Sequence, residues 1–118
     1  MNYKFNILNK CYKTIEYFNK PLNNYPKSEI ILKQNIEKTL YELIEYLFSY
    51  NINVTCRIKE KYLKDFLIKL SMLDFYTRLS YFKKCISKRQ FEVLGRKYLE
   101  IRKMVYALIN NEKSNSEV

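Results

Sequence analysis

Apolar residues recur every three or four positions along nearly the whole chain, the spacing that lines one face of an α-helix. Leu8, Cys11, Ile15, Phe18 and Leu22 make a first stripe. The run Asn19-Lys20-Pro21-Leu22-Asn23-Asn24 then reads as a break, because proline lacks a backbone donor and asparagine favours turns. The pattern predicts a helix over 6–19. A second helix, over 26–50, opens at Pro26, where a first-turn proline loses no intrahelical bond, and Glu29 suits the positive end of the helix dipole. Its stripe is Leu32, Ile36, Leu40, Leu43 and Leu47, widened by Ile44 and Phe48. The stretch Asn51-Ile52-Asn53-Val54-Thr55 is a poor helix former and reads as a connection.

The third helix is predicted over 57–85. Leu63, Phe66, Leu70 and Leu73 mark its core face, and Tyr76, Leu79 and Phe82 are expected to carry that face onward with a slight drift. Ser87 with Gln90 three residues later has the form of a capping box, the clearest helix start in the chain. It opens a fourth helix over 88–109, whose Phe91, Leu94, Tyr98, Ile101, Val105 and Leu108 form a heptad seam. The polar tail 110–118 is expected to fray. Four amphipathic helices with short connections predict an all-α fold: one domain over 1–118, an antiparallel up-down-up-down four-helix bundle.

Composition narrows the chemistry. One Gly and two Pro among 118 residues cannot supply the turns of a β-sandwich, and no glycine-rich phosphate loop can be written. The absence of His removes imidazole bases, Ser-His and Cys-His nucleophiles and histidine metal sites, so neither an enzyme nor a cofactor is expected. Cys11, Cys56 and Cys85 are too far apart for a CxxC motif and read as small, mostly buried apolar residues of a reducing cytoplasm. Glu37, Glu42 and Glu45 on the second helix lack the Glu-x-x-His partner of a di-metal carboxylate bundle and read as solvated. No apolar run reaches the length of a membrane span, and the first residues lack a signal-peptide core. A cytoplasmic protein without a membrane partner is expected.

The net charge is +10. Lys, Asn, Ile and Tyr, all with A/T-rich codons, make up nearly half of the chain, so the distribution of charge says more than its total. Residues 1–56 hold seven Lys/Arg against five Glu, whereas 57–118 hold fifteen against seven acidic residues. Nine cations crowd into 78–103: Arg78, Lys83, Lys84, Lys88, Arg89, Arg96, Lys97, Arg102 and Lys103, opposed by Glu92 and Glu100 alone. At roughly 100° per residue, Arg89, Arg96 and Lys103 fall opposite the fourth helix's seam as an outward ridge, flanked by Lys88 and Lys97. Such a surface would contact nucleic-acid phosphates and read shape and charge rather than base sequence. A solvated helix face would carry charge too, and Arg78 could instead pair with a carboxylate. Among the many aromatics, Phe66, Phe91 and Tyr98 belong to the core stripes, while Tyr81 and Tyr106 are candidates for stacking on bases or for a protein interface.

Several of these segments, in order, resemble one family. Tyr25-Pro26-Lys27-Ser28-Glu29 resembles its helix-two opening, followed by the pattern of Ile36-Glu37-Lys38-Thr39-Leu40-Tyr41-Glu42-Leu43-Ile44. Leu70-x-x-Leu73-x-Phe75-x-x-Arg78-Leu79 resembles its third helix, and Ile86-Ser87-x-x-Gln90-Phe91-Glu92-x-Leu94 its turn into the fourth. The family is the Avd-like group of accessory proteins of diversity-generating retroelements, and the resemblance covers roughly 10–110. It implies a four-helix bundle assembled as a ring-like homo-oligomer, a pentamer. It also implies binding to the element's reverse transcriptase and to RNA or DNA, with no chemistry of its own, in support of mutagenic copying of template RNA into cDNA. The family's small residues late in helix four are missing from Ile101-Arg102-Lys103-Met104-Val105-Tyr106-Ala107-Leu108, which bears on subunit packing. Bundle proteins of ribosomal-RNA intervening sequences are similar in fold. A purely structural helical scaffold that binds protein alone is the reading from a different functional class.

Overall fold

The computed structural model describes residues 3–116 and side chains over 6–114. Among them it is all-helical, with no strands: α1 is Tyr3–Asn23, α2 Ile30–Ile52, α3 Cys56–Phe82 and α4 Lys88–Ser116, with a single 3-10 turn at Lys27–Glu29 before α2. The four helices share one core in a body of 52 × 23 × 19 Å, an arrangement compatible with a four-helix bundle. α1 lies against α2 and α4, and α3 against α2 and α4.

The stripes meet in that core much as their spacing predicts. Leu32, Ile36, Leu40, Leu43 and Leu47 of α2 are buried, as are Leu63, Phe66, Leu70 and Leu73 of α3 and Leu94, Tyr98, Ile101, Val105 and Leu108 of α4. On α1, Ile7 takes the buried place expected of Leu8, and Thr14 completes the seam by donating to the Lys10 carbonyl at 2.8 Å. Phe48 does not widen α2's core face; it points outward, 51% exposed.

Besides shifts at Tyr3, Ile52 and Cys56, four boundaries differ from the sequence expectation. α1 runs through Pro21 to Asn23 rather than ending near Asn19. The proline sits in the last turn, where one missing bond is cheap, and the extra turn buries Leu22. The chain then leaves by tight bonds, Asn24 N to the Pro21 carbonyl at 3.0 Å and Tyr25 N to the Leu22 carbonyl at 3.2 Å. Pro26 starts the 3-10 turn, and α2 proper begins at Ile30. α3 ends at Phe82, not 85. Its end is a Schellman turn: Cys85 N donates to the Ser80 carbonyl at 2.8 Å and Lys84 N to the Tyr81 carbonyl at 3.0 Å. Lys84 holds the left-handed position, φ 64°, where glycine is usual. The capping box follows as predicted: Gln90 N donates to Ser87 Oγ at 3.1 Å, and Ser87 N to Gln90 Oε1 at 2.8 Å.

The fourth difference is the tail, which is helical to Ser116 instead of fraying at 110. Its anchor is a polar cluster around the buried Tyr50 and Glu112. Tyr50 donates to Glu112 Oε1 at 2.6 Å, Lys59 Nζ stands 3.9 Å from the same oxygen, and Lys113 reaches Glu60 at 3.7 Å. Ile109 is buried beside this cluster's turn of helix.

The core seam of α3 also continues differently. Leu63, Phe66, Leu70 and Leu73 are followed by Thr77 and Ser80, keeping the 3-4-3-4 spacing without drift. Their hydroxyls are satisfied locally, Thr77 Oγ1 donating to the Leu73 carbonyl and Ser80 Oγ to the Tyr76 carbonyl, each at 2.8 Å. Thr77 also meets the buried Tyr98 hydroxyl at 2.8 Å. Small hydroxylated residues thus leave room for a large ring from α4 and give its phenol a partner. Tyr76 and Leu79 are only half-buried, and Phe82 is 84% exposed. The cysteines are all free, but only Cys11 is buried; Cys56 and Cys85 are half-buried, so the expectation of general burial fails for two of the three.

Two predictions follow from this packing. Replacing Lys84 by Gly relieves a left-handed L-residue, and denaturant unfolding should show a gain of about 1 kcal/mol. Burial raises the Cys11 thiol from 9.0 to about 12 and the Tyr25 phenol from 10.0 to about 12, and lifts Tyr50 and Tyr98 as well. These groups fold in their protonated forms, so their stabilisation is complete below pH 9 and is lost as pH rises from there through about 12. Chemical unfolding measured across this range should show that fall, with its earliest part weakened by Cys11→Ala.

Candidate nucleic-acid interface

The nine cations of 78–103 sit on the second half of α3, the Schellman turn and α4. The α4 seam decides their directions. With Leu94, Tyr98, Ile101, Val105 and Leu108 held in the core, Arg89, Arg96 and Lys103 lie on the opposite side, all exposed. They recur every seven residues, so the ridge is about 21 Å long. Lys84 and Lys88 are exposed at its turn end. None of these five cations makes a salt bridge among the described residues.

The other four are engaged. Arg78 pairs with Asp74 of its own helix at 3.2 Å, and Lys83 with Glu29 at 3.1 Å. Lys97 does not flank the outward ridge; it is half-buried on the α1 side, its Nζ 5.5 Å from the centroid of the Tyr17 ring. Arg102 turns toward α3 and donates to Ser71 Oγ at 3.3 Å. The nine therefore divide among three sides of α4 and the end of α3. Exposed pairs of this kind hold weakly, so Arg78 and Lys83 remain available to a stronger anion.

The opposing carboxylates are also redistributed. Glu100 is taken by Lys10 of α1 at 2.8 Å, leaving Glu92 as the one acidic residue of 78–103 without an ion pair among the described residues.

Tertiary structure adds residues that the sequence reading passed over. The Lys83–Glu29 pair draws the 3-10 turn to the α3–α4 junction, which brings the exposed Lys27 to the basic end of the molecule. On the α1–α4 side, Lys10, Lys13 and Lys97 line a small crevice of about 40 Å³ with Thr14 and Glu100. Their helical spacing on α1 was visible, but nothing in the sequence paired α1 with α4. Of the candidate stacking rings, Tyr81 already lies flat against Phe91, centroids 4.7 Å apart and planes 3° apart, while Tyr106 is 51% exposed.

A wider groove of about 480 Å³ runs between α3 and α4, lined by Asp74, Arg78, Phe91, Gly95, Leu99 and Arg102 among others. Elsewhere Glu42 is bound to Lys69 at 3.1 Å. Among the described residues no three metal-ligating side chains converge, and no helix is long and apolar enough to cross a membrane. No protein-family model matches this sequence, and no curated protein matches it.

Proposed function

We propose that this protein is a non-enzymatic accessory of a diversity-generating retroelement, holding the template RNA or its cDNA by backbone phosphates and binding the element's reverse transcriptase. The observation that carries the nucleic-acid part is the set of five exposed cations without a salt bridge among the described residues, Lys84, Lys88, Arg89, Arg96 and Lys103, three of them in line on one side of α4. Clustered cations release condensed counterions from a polyanion, which favours binding without base-specific contacts. The reverse transcriptase and the element come from the sequence resemblance, as does a ring-like homo-oligomer, a pentamer; a cytoplasmic location is the expectation from the cysteine usage.

The fold in this proposal is an antiparallel up-down-up-down bundle. The order of contacts supports it. Along α3 from Glu60 through Ser71 to Thr77, the α4 partners descend from Lys113 through Arg102 to Tyr98. Along α2 from Glu42 to Tyr50, the α3 partners descend from Lys69 to Lys59.

If each of the five free cations meets one phosphate, log K for duplex DNA should fall with log[salt] at a slope of about −4.5. Reversing Arg89, Arg96 and Lys103 together to Glu should weaken binding of RNA on the order of a hundredfold at low salt. The same variant should unfold within about 1 kcal/mol of wild type, since these side chains touch no part of the core. Undiminished RNA binding by the folded variant overturns the surface assignment. No retention of RNA or DNA at low salt by the unaltered protein favours the protein-only scaffold.

A further inference from the structure

α3 has two heptad seams, and only one is used by the core. On the opposite side of the helix, Ile68, Met72, Phe75, Leu79 and Phe82 repeat at the same 4-3-4-3 spacing. Phe75 is 55% and Phe82 84% exposed, Ile68 and Met72 are exposed, and Leu79 is half-buried. A solvated helix face has no need of five large apolar residues in register, and a contiguous stripe of this kind marks an interaction surface. The drift that the sequence pattern suggests at Leu79 and Phe82 is in fact this second seam.

A complementary face exists on the same molecule. The outward side of α2 presents Ile30, Tyr41, Phe48 and Ile52, again at helical spacing, with Tyr41 64% exposed. α2 is also the one helix with more carboxylates than cations, three Glu against two Lys, in a chain of net charge +10. Glu37 and Glu45 flank its outer stripe together with Lys38, and neither Glu makes a salt bridge among the described residues. The α3 stripe is flanked by Lys61, Lys64 and Arg78. Each is an exposed cation held by a carboxylate one turn away on α3, Asp65 at 3.0 Å, Glu60 at 3.7 Å and Asp74 at 3.2 Å, and a docking carboxylate can replace such a pair at little cost.

We propose that the outer seam of α3 docks the outer face of α2 of a second copy of this chain, in a head-to-tail contact. A symmetric α3–α3 contact would leave the α2 stripe uncovered. A head-to-tail contact pairs opposite charge, covers both stripes, and leaves one open face of each kind at the ends of any chain of copies, so that assembly continues until it closes. It leaves the α4 ridge of every copy outside the contact, free for a polyanion. The proposal concerns the self-association within the function proposed above and stands or falls independently of nucleic-acid binding.

The test uses two variants of the full chain. Phe75→Arg with Phe82→Arg blocks the α3 face; Tyr41→Glu with Phe48→Glu blocks the α2 face. Both sets of positions are exposed, and circular dichroism with thermal melting confirms that each variant folds; Ile68→Arg and Ile52→Glu serve in place of a variant that does not. Light scattering after size exclusion should give a wild-type mass several times the 14.5 kDa of one chain. Each variant alone should be a monomer. An equimolar mixture should form a one-to-one dimer, because one intact α2 face meets one intact α3 face, and it should grow no further. A monomeric wild type at high micromolar concentration, variants that assemble as wild type does, or a mixture that stays monomeric each overturns the proposal. RNA binding of the two variants, measured alongside, should survive in the monomers, which separates loss of assembly from loss of the basic surface.

Discussion

The direction of α4's seam is the constraint on which everything else depends. Leu94, Tyr98, Ile101, Val105 and Leu108 can be buried together in only one rotation of the helix, and that rotation leaves Arg89, Arg96 and Lys103 outside. Tyr98 locks it. Its ring is 2% exposed, and its hydroxyl is satisfied only because Thr77 occupies the facing position of α3. A phenol buried without that partner would cost more than the contact gains, so the pair specifies the register as well as supporting it. The surface chemistry of α4 is therefore a consequence of core packing.

Much of this was legible in the sequence. Periodicity identified the four helices and nearly every core residue of α2 and α4, and the capping box marked the start of α4. What periodicity could not show was which of two competing patterns would be buried. At the end of α3 the sequence offers an apolar set, Leu79 and Phe82, and a hydroxylated set, Thr77 and Ser80. Hydrophobicity favours the first; the geometry of the heptad and the demand of Tyr98 for a partner select the second. Pro21 and the tail misled for a related reason. Local propensity argues for ends at Asn19 and Asn110, and tertiary contacts overrule it: burial of Leu22 in one case, the Tyr50–Glu112 bond in the other.

The candidate surface was legible in its cations and not in their pairing. Nine positive side chains were visible as a cluster, yet Lys97 and Arg102 turn to α1 and α3, and Arg78 and Lys83 find carboxylates. Ion pairs across helices depend on which helices are neighbours and at what height, and a charge count along the chain contains neither. The same limit hid the partnership of Lys10 with Glu100, which ties α1 to α4. The left-handed Lys84 has a further meaning here. A glycine would serve the turn better, and a lysine there adds a cation at the end of the ridge.

Lysine protection by bound RNA tests the central claim most directly. The protein is acetylated briefly with and without a single-stranded RNA, and each lysine's modification is read by mass spectrometry. Lys84, Lys88 and Lys103 should be shielded by RNA, while Lys38 on the outward side of α2 and Lys97 against Tyr17 should react equally in both samples. Protection spread evenly over all exposed lysines, or confined to those away from α4 and its preceding turn, would contradict the account.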